Sequence, residues 1–220
     1  MFSSVSHDST ERLLEAKTIL DLCDDNTLKV GEHYNTSILY GTFYVLLYGA
    51  LEFTITNCAY RAIAQLNTKA EKLYDLQPTL WGLIFDPDCT RMETAGTKKK
   101  WENRYKLFSK LTKNQAMQQI QEVLFPASNG NIKDKQLDRV WSTFGLKSPL
   151  FEPGKESVAS DLLTLANGRM AVAHGREKAS FRGGQASKDE MTKLYDSISR
   201  YCSYIINCFT LYITNEEYKQ

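Results

Sequence analysis

Nowhere in the chain do two cysteines stand at Cys-x-x-Cys spacing, and no histidine falls within ligand distance of a second one along the sequence. The five cysteines, Cys23, Cys58, Cys89, Cys202 and Cys208, are odd in number and widely separated. This argues against a zinc site and for reduced thiols in a cytoplasmic protein, so no metal and no cofactor is expected. Charge of one sign is missing as well. Lys and Arg number 27 against 26 Asp and Glu, a net +1, so any signal for a polyanionic partner has to be local. The opening residues 1–6 lack a basic stretch followed by an apolar one, and no signal peptide is expected. The most apolar run, residues 38–51, contains Gly41, Thr42 and Gly49 and is closed by Glu52. It is shorter than a membrane span needs and reads as a buried core helix, with no membrane association.

Strand alternation is nearly absent, and what remains is helical periodicity. A composition of 42% hydrophobic and 24% charged residues over 220 positions suits one globular domain, residues 1–220. A first helix is predicted over 8–23, opened by a capping box of Asp8 and Glu11 and broken at Asp24-Asp25-Asn26. A long helix follows over 35–74, in which Tyr40, Tyr44 and Tyr48 share one face and read as core. Residues 77–96, punctuated by Pro78, Asp86, Pro87 and Asp88, read as an irregular insertion with room for one short strand. Helix is expected again over 97–124 and 133–144, with a turn at 126–131 and a linker over 145–154. The last two helices are the clearest. One covers 156–174 and stops at Gly175; the other starts at Ser187 with Glu190 three residues on, a second capping box. A polar loop, 176–186, joins them. The fold class is an all-α helical bundle.

One string stands out: Asn167-Gly168-Arg169-Met170-Ala171-Val172-Ala173-His174-Gly175. Histidine titrates near neutrality and can give or take a proton at cellular pH, while arginine keeps its charge and offers a fork of donors that fits phosphate. The plain alternative is a surface arginine followed by a histidine that favourably caps the negative helix end. A helical wheel places Arg169 among Val158, Leu162, Leu165, Val172 and Ala173, within an apolar stripe where an unpaired guanidinium is costly. On an ideal helix His174 projects about 140° away from it. Ser160, Thr164, Asn167, Gly168 and Ala171 make a small-residue side open to close approach by another helix. Glu52 interrupts the most hydrophobic helix, and pairing it with Arg169 would satisfy both charges. Such a pair could be architectural or could orient the guanidinium.

The same residues resemble the HEPN superfamily, whose RNases carry an arginine, four to six intervening residues and a histidine. The string Leu162-Leu163-x-Leu165-x-x-x-Arg169-x-x-Val172-Ala173-His174-Gly175 is similar to the RiboL-PSP branch. So are Leu137-x-x-Val140-x-x-x-Phe144-Gly145-Leu146 and the helix around Ala50-Leu51-Glu52. The resemblance implies a HEPN-like helical bundle, commonly a homodimer with two motifs in a shared cleft, and a metal-independent endoribonuclease working as a toxin or antiphage effector. It casts Arg169 and His174 as catalytic, with Glu52 and Asn167 in support, RNA as substrate, and an antitoxin or regulatory protein as a further partner. Two departures are visible. Met170 stands where a polar residue commonly follows the arginine, and Arg176 stands where a tyrosine extension would lie. The alternative reading is a non-catalytic HEPN-like module that binds RNA, nucleotide or a protein.

Two local concentrations of positive charge suit an RNA partner. Arg176, Lys178 and Arg182 lie in the loop after His174. Lys98, Lys99, Lys100, Trp101 and Arg104 open a basic, aromatic-interleaved helix that continues to Lys113. Each has a plain counterpart: a mobile surface loop for the first, and for the second a solvated face with Trp101, Tyr105 and Phe108 packed inward. His7 and His33 read as surface residues.

Overall fold

The computed structural model describes residues 2–23, 32–69, 71–113, 115–122, 124–126, 132–156 and 158–220, with side chains from residue 36 onward in the second segment. The predicted breaks at 24–26 and most of the turn at 126–131, together with the side chain of His33, lie outside the described residues. Among the described residues there is helix and no strand. The order is α1 (Ser3–Leu22), α2 (Glu32–Asn67), two 3-10 turns (Leu73–Asp75 and Pro78–Leu80), α3 (Trp81–Ile84), α4 (Asp86–Thr94), α5 (Thr97–Leu111), α6 (Asp134–Phe144), α7 (Ala159–Ala173), α8 (Ala179–Gly183) and α9 (Lys188–Thr214).

Helix α2 is the axis of the bundle, with α1, α7, α8 and α9 packed around it. By length and composition Thr36–Asn67 is apolar enough to cross a membrane, which the shorter expected run was not. In the structure that apolarity faces the bundle: Phe43, Leu47, Leu51, Ile55 and Ile63 are fully buried. Opposite them stand Leu162, Leu165 and Ala166 of α7 and Ile198, Ile205 and Phe209 of α9. Tyr40, Tyr44 and Tyr48 are buried as expected. Burial of this kind, about 1.5–3 kcal/mol per large apolar side chain, is what holds α2 at the centre. Ser9 of α1 meets Thr54 of α2 through a buried hydroxyl pair at 2.7 Å, so no polar atom is stranded at that crossing. Phe144, Phe209 and Tyr212 stack edge-on at 5.3–5.9 Å and join α6 to α9.

Several predicted boundaries move, each for a visible reason. Helix α1 begins at Ser3 and not at Asp8, because Phe2 and Val5 enter the core; Asp8 and Glu11 lie inside the helix, and the capping box expected of them does not form. Helix α2 ends at Asn67, whose side chain clasps the backbone of Ile120 with both an acceptor (2.9 Å) and a donor (2.8 Å). That contact also explains why the helix predicted over 97–124 stops at Leu111. Residues 115–120 run extended, and their backbone groups pair with Leu73 and Glu71 instead of with one another. The insertion at 77–96 is helical, made of a 3-10 turn followed by α3 and α4, and holds no strand. The linker is pinned by Tyr201 to Leu150 (3.0 Å) and by Tyr204 to Pro149 (2.7 Å).

The two C-terminal helices prove to be three, since the loop 176–186 contains α8. A Cβ on Gly41 of α2 would collide with the backbone of Ala179, and one on Gly183 would collide with Ser37. Two glycines thus let α8 lie directly on α2. The capping box of α9 forms as read from the sequence, with Ser187 accepting from the Glu190 amide and Glu190 accepting from the Ser187 amide.

Candidate functional site: the C-terminal end of α7

Helix α7 ends as its sequence demands. His174 is the capping residue, and Gly175 adopts φ +65°, a left-handed conformation that only glycine takes without strain. The Gly175 amide donates to Val172 at 3.1 Å and that of Glu177 to Ala171 at 3.0 Å, closing the last turn. His174 is left exposed at the helix end. Arg169 turns the other way. It is half-buried, and its guanidinium lies 4.9 Å over the ring of Tyr48 from α2. The expected apolar stripe holds for Val158, Leu162 and Leu165, which are buried, whereas Val172 is half-buried like Arg169 and Ala173 is exposed.

Tyr48 is the hinge of this arrangement. Its ring is buried, and its hydroxyl accepts from the Ile132 amide at 2.6 Å. Burial, then the nearby Glu52 carboxylate, push that hydroxyl above its ordinary value, while the Ile132 amide and Arg169 pull it back. Glu52 and Arg169 thus both bear electrostatically on the Tyr48 hydroxyl, from opposite signs of charge. Glu52 is half-buried, one helical turn from Tyr48. Asn167 is exposed.

One turn earlier on α2, Tyr44 repeats the pattern. The guanidinium of Arg182 sits 5.5 Å over its ring, and a Cβ added to Gly168 would stand 2.5 Å from a Tyr44 ring carbon. The small-residue side of α7 is thus used by α2 at Gly168. Ser160, Thr164 and Asn167 remain exposed. Arg182 donates to Gln185 at 3.3 Å, yet its Nε is buried and has no hydrogen-bond partner among the described residues. It borders a cavity of about 390 Å³ shared with Asp161 and Thr164 of α7 and Glu190 and Lys193 of α9. Sequence reasoning assigned Tyr44 and Tyr48 to the core alone and missed their second task as platforms for two arginines. The only available signal was their i, i+4 spacing on the helix that also carries Glu52.

The remaining candidates separate into two places. Arg176 and Lys178 are exposed beside His174, with Arg182 half-buried behind them. Lys98, Lys99, Lys100, Trp101 and Arg104 belong to α5, which packs chiefly on α4 and not on α7. The inward packing considered for Trp101, Tyr105 and Phe108 does not occur, since all three rings face solvent. Of metal-ligand groups, His7, Asp8 and Glu11 bring ligand atoms within 4.8 Å on the exposed side of α1, where His7 Nε2 lies 3.3 Å from a Glu11 carboxylate oxygen. All five cysteines are free thiols. Burial pushes the Cys202 thiol up to about 12, which keeps it protonated and inert.

The model of the RiboL-PSP-HEPN family matches residues 7–211. Neither a comparison with curated proteins nor one with solved structures found a match.

Proposed function

Since the chain belongs to the RiboL-PSP-HEPN family, we propose that it is a metal-independent endoribonuclease whose reacting groups are His174 and Arg169. The observation that carries this reading is the end of α7. There a half-buried guanidinium, positioned by Tyr48, stands one turn before an exposed imidazole at a glycine-closed helix end. Positioning an arginine against a buried ring fixes its donors in advance, which is what stabilisation of a developing phosphorane charge requires. An exposed imidazole can reach a substrate proton.

In the proposed reaction His174 takes the proton of a ribose 2′-hydroxyl, whose oxygen attacks the adjacent phosphorus. The bond from phosphorus to the 5′-oxygen breaks, and that oxygen leaves with a proton supplied by an imidazolium. One fragment ends in a 2′,3′-cyclic phosphate and the other in a 5′-hydroxyl, with no further reagent consumed. Arg169 bears on the non-bridging oxygens. DNA, lacking the attacking hydroxyl, is not a substrate.

A single copy brings one imidazole, that of His174, to the end of α7, while the reaction uses a base and an acid. A homodimer that joins two α7 ends supplies both. Leu163, Asn167, Met170 and His174 fall on one side of α7, where three of the four are exposed, and this stripe supports such a contact. Arg176, Lys178 and Arg182 then border the cleft and draw in the RNA backbone. Glu52, half-buried one helical turn from Tyr48, supports this end of the site with its negative charge. Acting in the cytoplasm as a toxin or antiphage effector, the enzyme would be held in check by an antitoxin or regulator.

The test is cleavage of RNA by the purified chain in EDTA. It should persist there, yield cyclic-phosphate ends, and vanish in His174→Ala. Cleavage retained by that variant overturns the assignment. A chain that binds RNA and cuts none in any form would be the non-catalytic module instead.

A further inference from the structure

Three large rings at positions i, i+4 and i+7 fall on one side of a helix, and such a side is ordinarily the buried one. In α5 it is the opposite. Trp101, Tyr105 and Phe108 are 70%, 74% and 63% exposed, and Leu107 is the buried residue of the helix. The helix is fastened by its other side. Lys110 donates to both oxygens of the buried Asp88 in α4 at 2.8 and 2.9 Å, and Asn103 donates to the Arg91 carbonyl at 3.3 Å. At about 100° per residue, Arg104, Phe108, Trp101, Tyr105 and Lys98 share an arc of roughly 120°. The Arg104 guanidinium lies 4.8 Å over the Trp101 ring. Lys106 pairs with Glu102 and Lys110 with Asp88, whereas the ion pairs among the described residues engage none of Lys98, Lys99, Lys100 and Arg104.

We propose that this face of α5 is a binding platform for single-stranded RNA. Bases stack on Trp101, Tyr105 and Phe108, and Lys98 and Arg104 on the same arc, with Lys100 at its edge, neutralise the phosphates between them. The proposal rests on the reading of the chain as a ribonuclease and deepens it, because it names unpaired strands as the substrate class and gives them a hold separate from Arg169 and His174. Charge complementarity selects the occupant. Rings and cations are interleaved on one side, which suits a ligand that alternates π-faces with negative charge along its length. A membrane-surface helix separates the two, with its cations on a distinct polar face. A second copy of the same face would set its cations against like charges. A duplex keeps its bases stacked inside and offers the rings nothing.

The experiment uses the full chain carrying His174→Ala, so that the probe is not cut. Binding of a labelled oligouridylate of about 16 nucleotides is followed by anisotropy. Replacing Trp101, Tyr105 and Phe108 together by Ala should weaken binding at least tenfold, and Trp101→Ala alone several-fold, with the melting temperature unchanged because all three rings are exposed. Changing Lys98, Lys100 and Arg104 to Gln should flatten the salt dependence of binding. Affinity of the triple aromatic variant within twofold of its parent overturns the proposal, and so does a parent that binds no oligouridylate. Equal weakening for a fully paired hairpin overturns it. A variant that loses binding to phosphatidylserine vesicles but keeps binding RNA marks a membrane surface, and one whose dimer dissociates in sedimentation marks a self-contact; either result overturns it as well. Cleavage by the unmutated chain is read separately. A chain that cuts RNA while the triple variant binds normally loses the platform alone, and a platform found in a chain that cuts nothing sinks only the ribonuclease reading.

Discussion

Helices α7 and α5 each set an arginine over an aromatic ring, in opposite surroundings. In α7, Arg169 reaches inward to Tyr48, a ring that is buried and tied by its hydroxyl to Ile132. In α5, Arg104 covers Trp101 on the outside of a peripheral helix. The same pairwise attraction therefore does two different things. Against a buried ring the guanidinium is fixed before any ligand arrives, which suits a group asked to stabilise a transition state. On an exposed ring it can be exchanged for a base or a phosphate at little cost, which suits a surface that grips a flexible strand.

The contrast can be broken most sharply by activity. His174→Ala should lower RNA cleavage by a factor of about 100 or more, as for loss of a general acid or base. Its melting temperature should stay within a degree or two, since the side chain is exposed. A large loss of stability would mean that the helix end was misread. Next come substitutions that test how tightly α7 is seated. Gly168→Val places its side chain against the Tyr44 ring and should cost about 1–3 kcal/mol in urea unfolding, with cleavage falling alongside. A change of similar size at Trp101 should leave the unfolding midpoint alone. Tyr48→Phe keeps the ring under Arg169 but strands the buried Ile132 amide, for an expected loss of about 1–3 kcal/mol. Cleavage by the folded fraction should survive, and its disappearance would move the hydroxyl itself into the chemistry.

Smaller effects belong to the periphery. Asp88→Asn removes the charge that Lys110 and Arg91 both contact and should cost about 1–2 kcal/mol, half or less of a fully buried pair because Lys110 is partly exposed. Limited proteolysis should then cut first around α4 and α5. The smallest effect is one of pH. The backbone and hydroxyl of Ser187 hold the Glu190 carboxyl below its ordinary range. Its contribution to α9 is therefore present above the ordinary carboxylate value and fades as pH falls through the lowered one. Stability curves of the unmutated chain and of Glu190→Gln should differ at neutral pH and converge in acid. A gap that persists at low pH would show that the cap does not depend on charge.

Much of the bundle was legible in the chain because its signals are local. The capping box at Ser187, the stop at Gly175 and the apolar face of α9 each follow from residues within a few positions of one another. The tyrosine ladder on α2 was read correctly as core. What failed were the capping box expected at Asp8, which α1 runs through, and the boundaries decided at long range. The end of α5 and the extended run after it depend on Asn67, more than fifty positions upstream, which offers Ile120 a better pair of hydrogen bonds than another helical turn would. The short helix α8 was missed because its reason to exist lies in two distant backbones meeting at Gly41 and Gly183.

The candidate site divides along the same line. The sequence by itself determined that an arginine and a histidine stand five residues apart at a helix end, on different sides of that helix, because helical geometry and a glycine stop are local properties. Only the tertiary structure decided what each of them faces. It placed Tyr48 beneath Arg169, gave Arg182 the equivalent seat on Tyr44, and turned the rings of α5 to solvent. The physical reason is that a guanidinium or an aromatic ring is suited to core and surface alike. Which one it occupies is set by the neighbours that folding brings to it, and those come from far along the chain.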